Sequence, residues 1–116
     1  MIPAEVADDD FCYLTTQGRV SGEPHRIEIW FALDGGRLYM LAGAGTRSDW
    51  VRNLQADPTV TIRIRDVTYP CHARVVDDAN EDRLARTSLY EKYEPRSPGL
   101  ASWRESALPV AFDVDE

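Results

Sequence analysis

The sequence predicts one mainly β domain of the α+β class, a six-stranded antiparallel barrel with two or three short helices. Three observations predict it. Short runs rich in β-branched and aromatic residues recur along the chain, Asp34-Gly-Gly36 offers hairpin chemistry between two of them, and two longer stretches carry helix start and stop signals. Hairpin connections make the sheet antiparallel rather than doubly wound. Six short strands with helical excursions suit a small closed barrel, which removes exposed edges.

The elements follow in order. Phe11-Cys-Tyr-Leu-Thr-Thr16 reads as the first strand, and Gln17-Gly-Arg-Val-Ser-Gly22 as a turn whose glycines accept positive φ. Arg26 to Leu33 reads as the second strand. Arg37-Leu-Tyr-Met-Leu-Ala42 is the third, and its nearly unbroken apolar run predicts cover on both faces. Gly43-Ala-Gly-Thr46 is a loop leading into a helix over 46–56, capped by Thr46 or Ser48, with Asp49 suited to its positive end, and stopped by Pro58. Trp50, Val51 and Leu54 share its core face. Thr59-Val-Thr-Ile-Arg-Ile64 alternates strictly, with Val60, Ile62 and Ile64 on one side. Val67 to Val76 returns as the fifth strand, where Pro70 predicts an edge or a bulge. Asp78 caps a helix from Ala79 to about Tyr93, with Glu81 and Asp82 in its first turn and Leu84, Ala85, Leu89 and Tyr93 as its apolar stripe. Trp103 anchors about one helical turn, and Leu108 to Val114 is the last strand.

The chain has 116 residues, 43% of them hydrophobic, which fits a single domain over 1–116 with its own core. No apolar run approaches the ~20 residues of a membrane span. The first ten residues are acidic and lack the apolar stretch of a secretory signal, so a cytoplasmic location is expected. Cys12 and Cys71 read as buried free thiols, and without CxxC or CxxH spacing no metal site is expected. A formal net charge of −7 argues against nucleic-acid binding. The charge is uneven, however. Phe11 to Arg65 carries seven Arg against five acidic residues, a net of +2, while the remainder carries six Arg and Lys against fifteen acidic residues, a net of −9. The basic part can attract an anionic small molecule, or it can be plain solvated surface.

Two features could carry binding. The turn after Thr15 combines Thr16, Arg19, Ser21 and Gly22: hydroxyl donors, a planar guanidinium fork and exposed backbone N–H groups, a combination suited to phosphate or carboxylate. It lacks the spacing and lysine of a P-loop and the βαβ setting of a dinucleotide fingerprint. Standing alone, it reads better as an ordinary hairpin turn. The second feature runs from Gly43 to Asn53, a glycine-containing loop entering a helix N-terminus, where backbone donors and the dipole favour anions. Arg47 and Arg52 add charge, Trp50 offers a ring face, and Asn53 both donates and accepts. The alternative is a capped helix with a core tryptophan. His25 and His72 read as surface or strand residues. No nucleophile–base pair is apparent and no catalytic residue is assigned, so any chemistry falls to a cofactor.

Together these stretches resemble the deazaflavin-dependent nitroreductase family, within the flavin-binding split β-barrels that include pyridoxamine phosphate oxidases. The resemblance rests on Leu14-Thr-Thr-Gln-Gly-Arg-Val-Ser-Gly-Glu-Pro24, Asp34-Gly-Gly-Arg-Leu-Tyr39 and Asp49-Trp-Val-Arg-Asn-Leu-Gln-Ala-Asp-Pro58, with Ser102-Trp-Arg-Glu105 and Leu108-Pro-Val110 near the end. It implies a split β-barrel and coenzyme F420, with hydride transfer from the reduced deazaflavin to a quinone, an enone or a nitro compound. FMN on the same barrel, or a cofactor-binding protein without catalysis, are the alternatives. It implies Arg19, Ser21 and Gly22 at the anionic tail, and Ala42, Gly43, Trp50 and Asn53 around the ring system. Thr16, Trp30 and Arg47 complete the candidate cofactor-binding set. The chain departs from the family at Val20 and at Gly43-Ala-Gly-Thr46, where many members carry lysine, and its one lysine is Lys92. The expected partners are a small-molecule cofactor and substrate, with a homodimer possible and neither nucleic acid nor membrane involved.

Overall fold

In the computed structural model, which describes residues 1–115, the alternating runs become strands of one seven-stranded antiparallel sheet. They are β1 (Cys12–Gln17), β2 (Pro24–Ile29), β3 (Ala32–Asp34), β4 (Arg37–Ala42), β5 (Thr59–Ile64), β6 (Val67–Val75) and β7 (Leu108–Val114). Helix α1 (Asp49–Ala56) follows β4, while α2 (Ala79–Tyr93) and α3 (Ala101–Ser106) lie between β6 and β7. The hydrogen-bonded order is β2-β1-β5-β6-β7-β4-β3.

β2 and β3 stand at opposite ends of that order, yet only Trp30 and Phe31 separate them in sequence. The sheet therefore curls until its two edges meet at one corner, giving a split barrel. This corrects the expected count of six strands, because the run from Arg26 to Leu33 is not one strand. Its first part pairs with β1, Ile27 opposite Leu14, and its last part with β4, Leu33 opposite Leu38. The class, an antiparallel barrel with short helices, is as expected.

Two apolar clusters hold the curl. Inside the barrel, Leu14, Phe31, Leu38, Met40, Val60, Ile62, Ile64, Val110 and Phe112 pack with Val51 and Leu54 of α1 and with Ile2 and Val6 from the N-terminal segment. Outside it, Tyr39, Leu41 and Ala111 meet Ala85, Leu89 and Tyr93 of α2. β4 is thus covered on both faces, which accounts for its continuous apolar run. Each fully buried large side chain contributes roughly 1.5–3 kcal/mol.

Some local expectations change. Pro70 neither breaks nor bulges β6, which lies inside the sheet and pairs Pro70 with Thr61. β7 pairing begins one residue later, at Cys71, and the Asp115 N–H donates to the Pro70 carbonyl at 2.8 Å. In a strand the N and C=O of one residue point the same way, so the missing N–H of Pro70 faces the spent end of β7. The helix expected over 46–56 is a 3-10 turn (Gly45–Arg47) followed by α1, and Ser48 takes the N-cap position without a side-chain cap. Leu84 is 38% exposed and leaves the α2 stripe to Ala85, Leu89 and Tyr93. Asp78 does cap α2, its Oδ2 accepting the Glu81 N–H at 2.9 Å. No described helix is long and apolar enough to cross a membrane.

Candidate functional site

The turn from β1 to β2 is wound by its glycines. Gly18 N–H donates to Glu23 O at 2.8 Å and Gly22 N–H to Gly18 O at 2.9 Å, while Gln17 Nε2 donates to Gly22 O. Gly22 sits at φ +75°, which favours glycine. At Gly18 space decides instead: a Cβ would lie 2.7 Å from the His25 ring and 2.8 Å from Glu23 O.

This winding brings Arg19 against α1. Its backbone N–H and its Nη1 both donate to Asn53 Oδ1, at 3.2 and 2.8 Å. Its Nη2 donates to Asp49 Oδ1 at 3.2 Å. Asn53 Nδ2 in turn donates to Thr16 Oγ1 at 3.1 Å. Thr16 and Asn53 are buried, 1% and 2% exposed, and such groups are tolerated in a core because each is paired. Asp49 and Asn53 lie four residues apart, so one face of α1 presents both to the guanidinium. Beside them opens a pocket of about 260 Å³ lined by Arg19, Ser21, His25, Asp49 and Asn53.

The sequence singled out Thr16, Arg19, Ser21, Gly22 and Asn53, and the structure brings them together at this turn and helix. The other candidates lie elsewhere. Ala42 is buried in the barrel and pairs with Leu108. Arg47 is exposed in the 3-10 turn, and Trp50 packs half-buried against the barrel core. Trp30 stacks on Tyr93 with centroids 4.3 Å apart and meets Trp103 edge-on at 5.8 Å, on the helix-covered side. Gly43 is exposed, and a Cβ there would sit 3.6 Å from Trp103 Cδ1. Sequence reasoning missed Asp49, read only as a helix-start residue, and His25, read as surface. The i, i+4 spacing of Asp49 and Asn53 was the available signal for the first; none marked the second.

Elsewhere the titratable groups are tied into the fold. Burial pushes the Cys12 and Cys71 thiols up to about 12, which removes them as nucleophiles. Burial likewise raises Tyr93 to about 12 and lowers Lys92 to about 8. Among the described residues, no group of three His, Cys, Asp or Glu side chains is placed to hold a metal ion.

A guanidinium, a hydroxyl and an imidazole around a small open pocket suit one anionic group, such as a phosphate or carboxylate. They fit the charged end of a larger cofactor.

The sequence model described as F420H(2)-dependent quinone reductase matches residues 4–115. Among solved structures, the chain is similar to a conserved hypothetical protein from Mycobacterium tuberculosis, with a TM-score of 0.78 and 21% identity over 100% of this chain and 82% of that one. It is similar to a protein described as a domain-swapped dimer, with a TM-score of 0.72 and 24% identity over 97% of this chain and 84% of that one. It is also similar to an F420-H2 dependent reductase, with a TM-score of 0.71 and 23% identity over 92% of this chain and 95% of that one. At these identities the structural likeness concerns the fold.

Proposed function

We propose that this chain, which belongs to the F420H(2)-dependent quinone reductase family, reduces a small acceptor such as a quinone, an enone or a nitro compound. The family's cofactor is coenzyme F420. When bound, reduced F420 supplies the hydride; the chain's own residues bind and orient it.

The observation that carries this reading is Arg19, pinned through Asn53 at the mouth of the pocket. F420 carries a phosphate and a glutamate tail, and a fixed guanidinium is the side chain suited to such groups. In this reading Arg19 and Ser21 receive the anionic part. Asn53, whose oxygen accepts from Arg19 and whose amide nitrogen donates to Thr16, positions Arg19. Gly43, exposed beside Trp103, offers the ring system an approach without a side chain.

Titration with F420 and separately with FMN tests the cofactor, and turnover of a quinone with reduced F420 tests the reaction. Micromolar F420 binding with turnover supports the reading. Tighter binding of FMN, or binding without turnover of any of the three acceptor classes, contradicts it. The assembly we propose is a homodimer, supported by the exposed edge strand β2. Light scattering at twice the chain mass is the expected result, and a single-chain mass overturns it.

A further inference from the structure

We propose that Asp49 is a built-in counter-charge for Arg19, holding the outer edge of the guanidinium until a strongly anionic group of the ligand displaces it. The inference rests on the reading that the anionic part of F420 binds at Arg19, and it concerns what sets the strength of that binding.

The two edges of the guanidinium are held differently. The inner edge is fastened by a neutral amide: Nη1 and the backbone N–H share Asn53 Oδ1, and Asn53 is buried. Nη1 also reaches the Asp49 backbone carbonyl at 3.5 Å, so the inner edge is held by neutral acceptors alone. The outer edge is held by a carboxylate: Nη2 reaches Asp49 Oδ1 at 3.2 Å, and the Asp49 side chain is 85% exposed against 29% for Arg19. An ion pair this exposed is weak and easily exchanged. The same carboxylate suits the positive start of α1, which keeps it near when the pocket is free.

Asp49 also lines the pocket, so an incoming anion meets a like charge before it reaches the guanidinium. A phosphate, with its higher charge and several acceptor oxygens, can replace the carboxylate on Nη2; a lone carboxylate only exchanges like for like. Asp49 therefore favours phosphate or clustered carboxylates over single carboxylates, at some cost in affinity.

The test is calorimetric titration of F420 into the unaltered protein, Asp49→Asn, Arg19→Ala and the double variant. The asparagine keeps an oxygen for Nη2 and removes only the charge. Asp49→Asn is expected to bind F420 about three- to tenfold more tightly, with the gain shrinking as salt rises. In the Arg19→Ala background the same Asp49→Asn change is expected to gain clearly less than in the unaltered protein, because without the guanidinium the carboxylate acts only by direct repulsion of the anion. An equal gain in both backgrounds overturns the counter-charge. If Arg19→Ala weakens binding but Asp49→Asn leaves it unchanged or weaker, the counter-charge is wrong and the F420 site at Arg19 stands. If Arg19→Ala binds as the unaltered protein does, both fall together.

Discussion

The hydroxyl of Tyr93 accepts the backbone N–H of Phe31 at 3.1 Å, sixty-two residues away in sequence. It donates to the Asp10 carbonyl at 2.8 Å, and Lys92 Nζ donates to the Phe31 carbonyl at 2.8 Å. The corner between β2 and β3 leaves the Phe31 N–H and carbonyl outside the strands, and the end of α2 supplies their partners while tying in the Asp10 carbonyl ahead of β1. Tyr93→Phe is therefore expected to destabilise the protein by about 1–3 kcal/mol, since it keeps the ring and strands two polar groups. Urea unfolding checks this; a change below about 0.5 kcal/mol would remove Tyr93 from the corner's support.

Glu81 gathers Arg74 through both its oxygens at 2.6 and 2.8 Å, Arg37 at 3.0 Å and the Tyr39 hydroxyl at 2.8 Å. The Arg74 guanidinium foremost, against the opposing cost of burial, holds its carboxyl down to about 2. A depressed carboxyl contributes stability that is complete above its unfolded value of about 4.5 and is lost as pH falls toward 2. The arginines are partly solvated, so the contribution is on the order of 1–2 kcal/mol. Glu81→Gln is expected to lose that much at pH 7 and to converge on the unaltered protein near pH 2. A difference independent of pH would contradict the assignment.

Gly18→Ala places a methyl 2.7 Å from the His25 ring and 2.8 Å from the Glu23 carbonyl. The ring can swing, but the carbonyl is part of the turn. The turn must open, at a cost of about 1–3 kcal/mol, and Arg19 shifts with it. A lowered melting temperature together with weaker F420 binding is expected. Full affinity in a stable variant would show that the turn's winding does not set Arg19.

Asn53→Ala removes the acceptor of Arg19 and the partner of Thr16, with an expected loss of about 1–3 kcal/mol in stability and about tenfold in F420 affinity. Asn53→Asp keeps oxygens that both partners can use, so stability should recover in part. Its charge faces the incoming anion, so affinity should not. Recovery of both together would mean that Asn53 acts only as a structural residue.

Local patterns carried much of the fold. Val60, Ile62 and Ile64 announced one buried strand face, and Asp78 with Glu81 announced the start of α2, because both signals are complete within a few residues. The break at Trp30–Phe31 was not legible, since Tyr93 and Lys92 impose it from α2. The site was half legible. Arg19, Ser21 and Asn53 stood out by residue type, but Asp49 looked like an ordinary helix-start acid, and only the folded hairpin brings Arg19 to it. Trp30 has the character of a ring-binding residue, and one of its two faces is stacked on Tyr93.

The central claim is that Arg19 anchors the anionic part of the cofactor. Calorimetric titration of F420 into the unaltered protein and Arg19→Ala tests it most directly. The account predicts that Arg19→Ala loses about 1.5–3 kcal/mol of binding free energy, the range for a charge-assisted hydrogen bond. Equal affinity in the two proteins would contradict it.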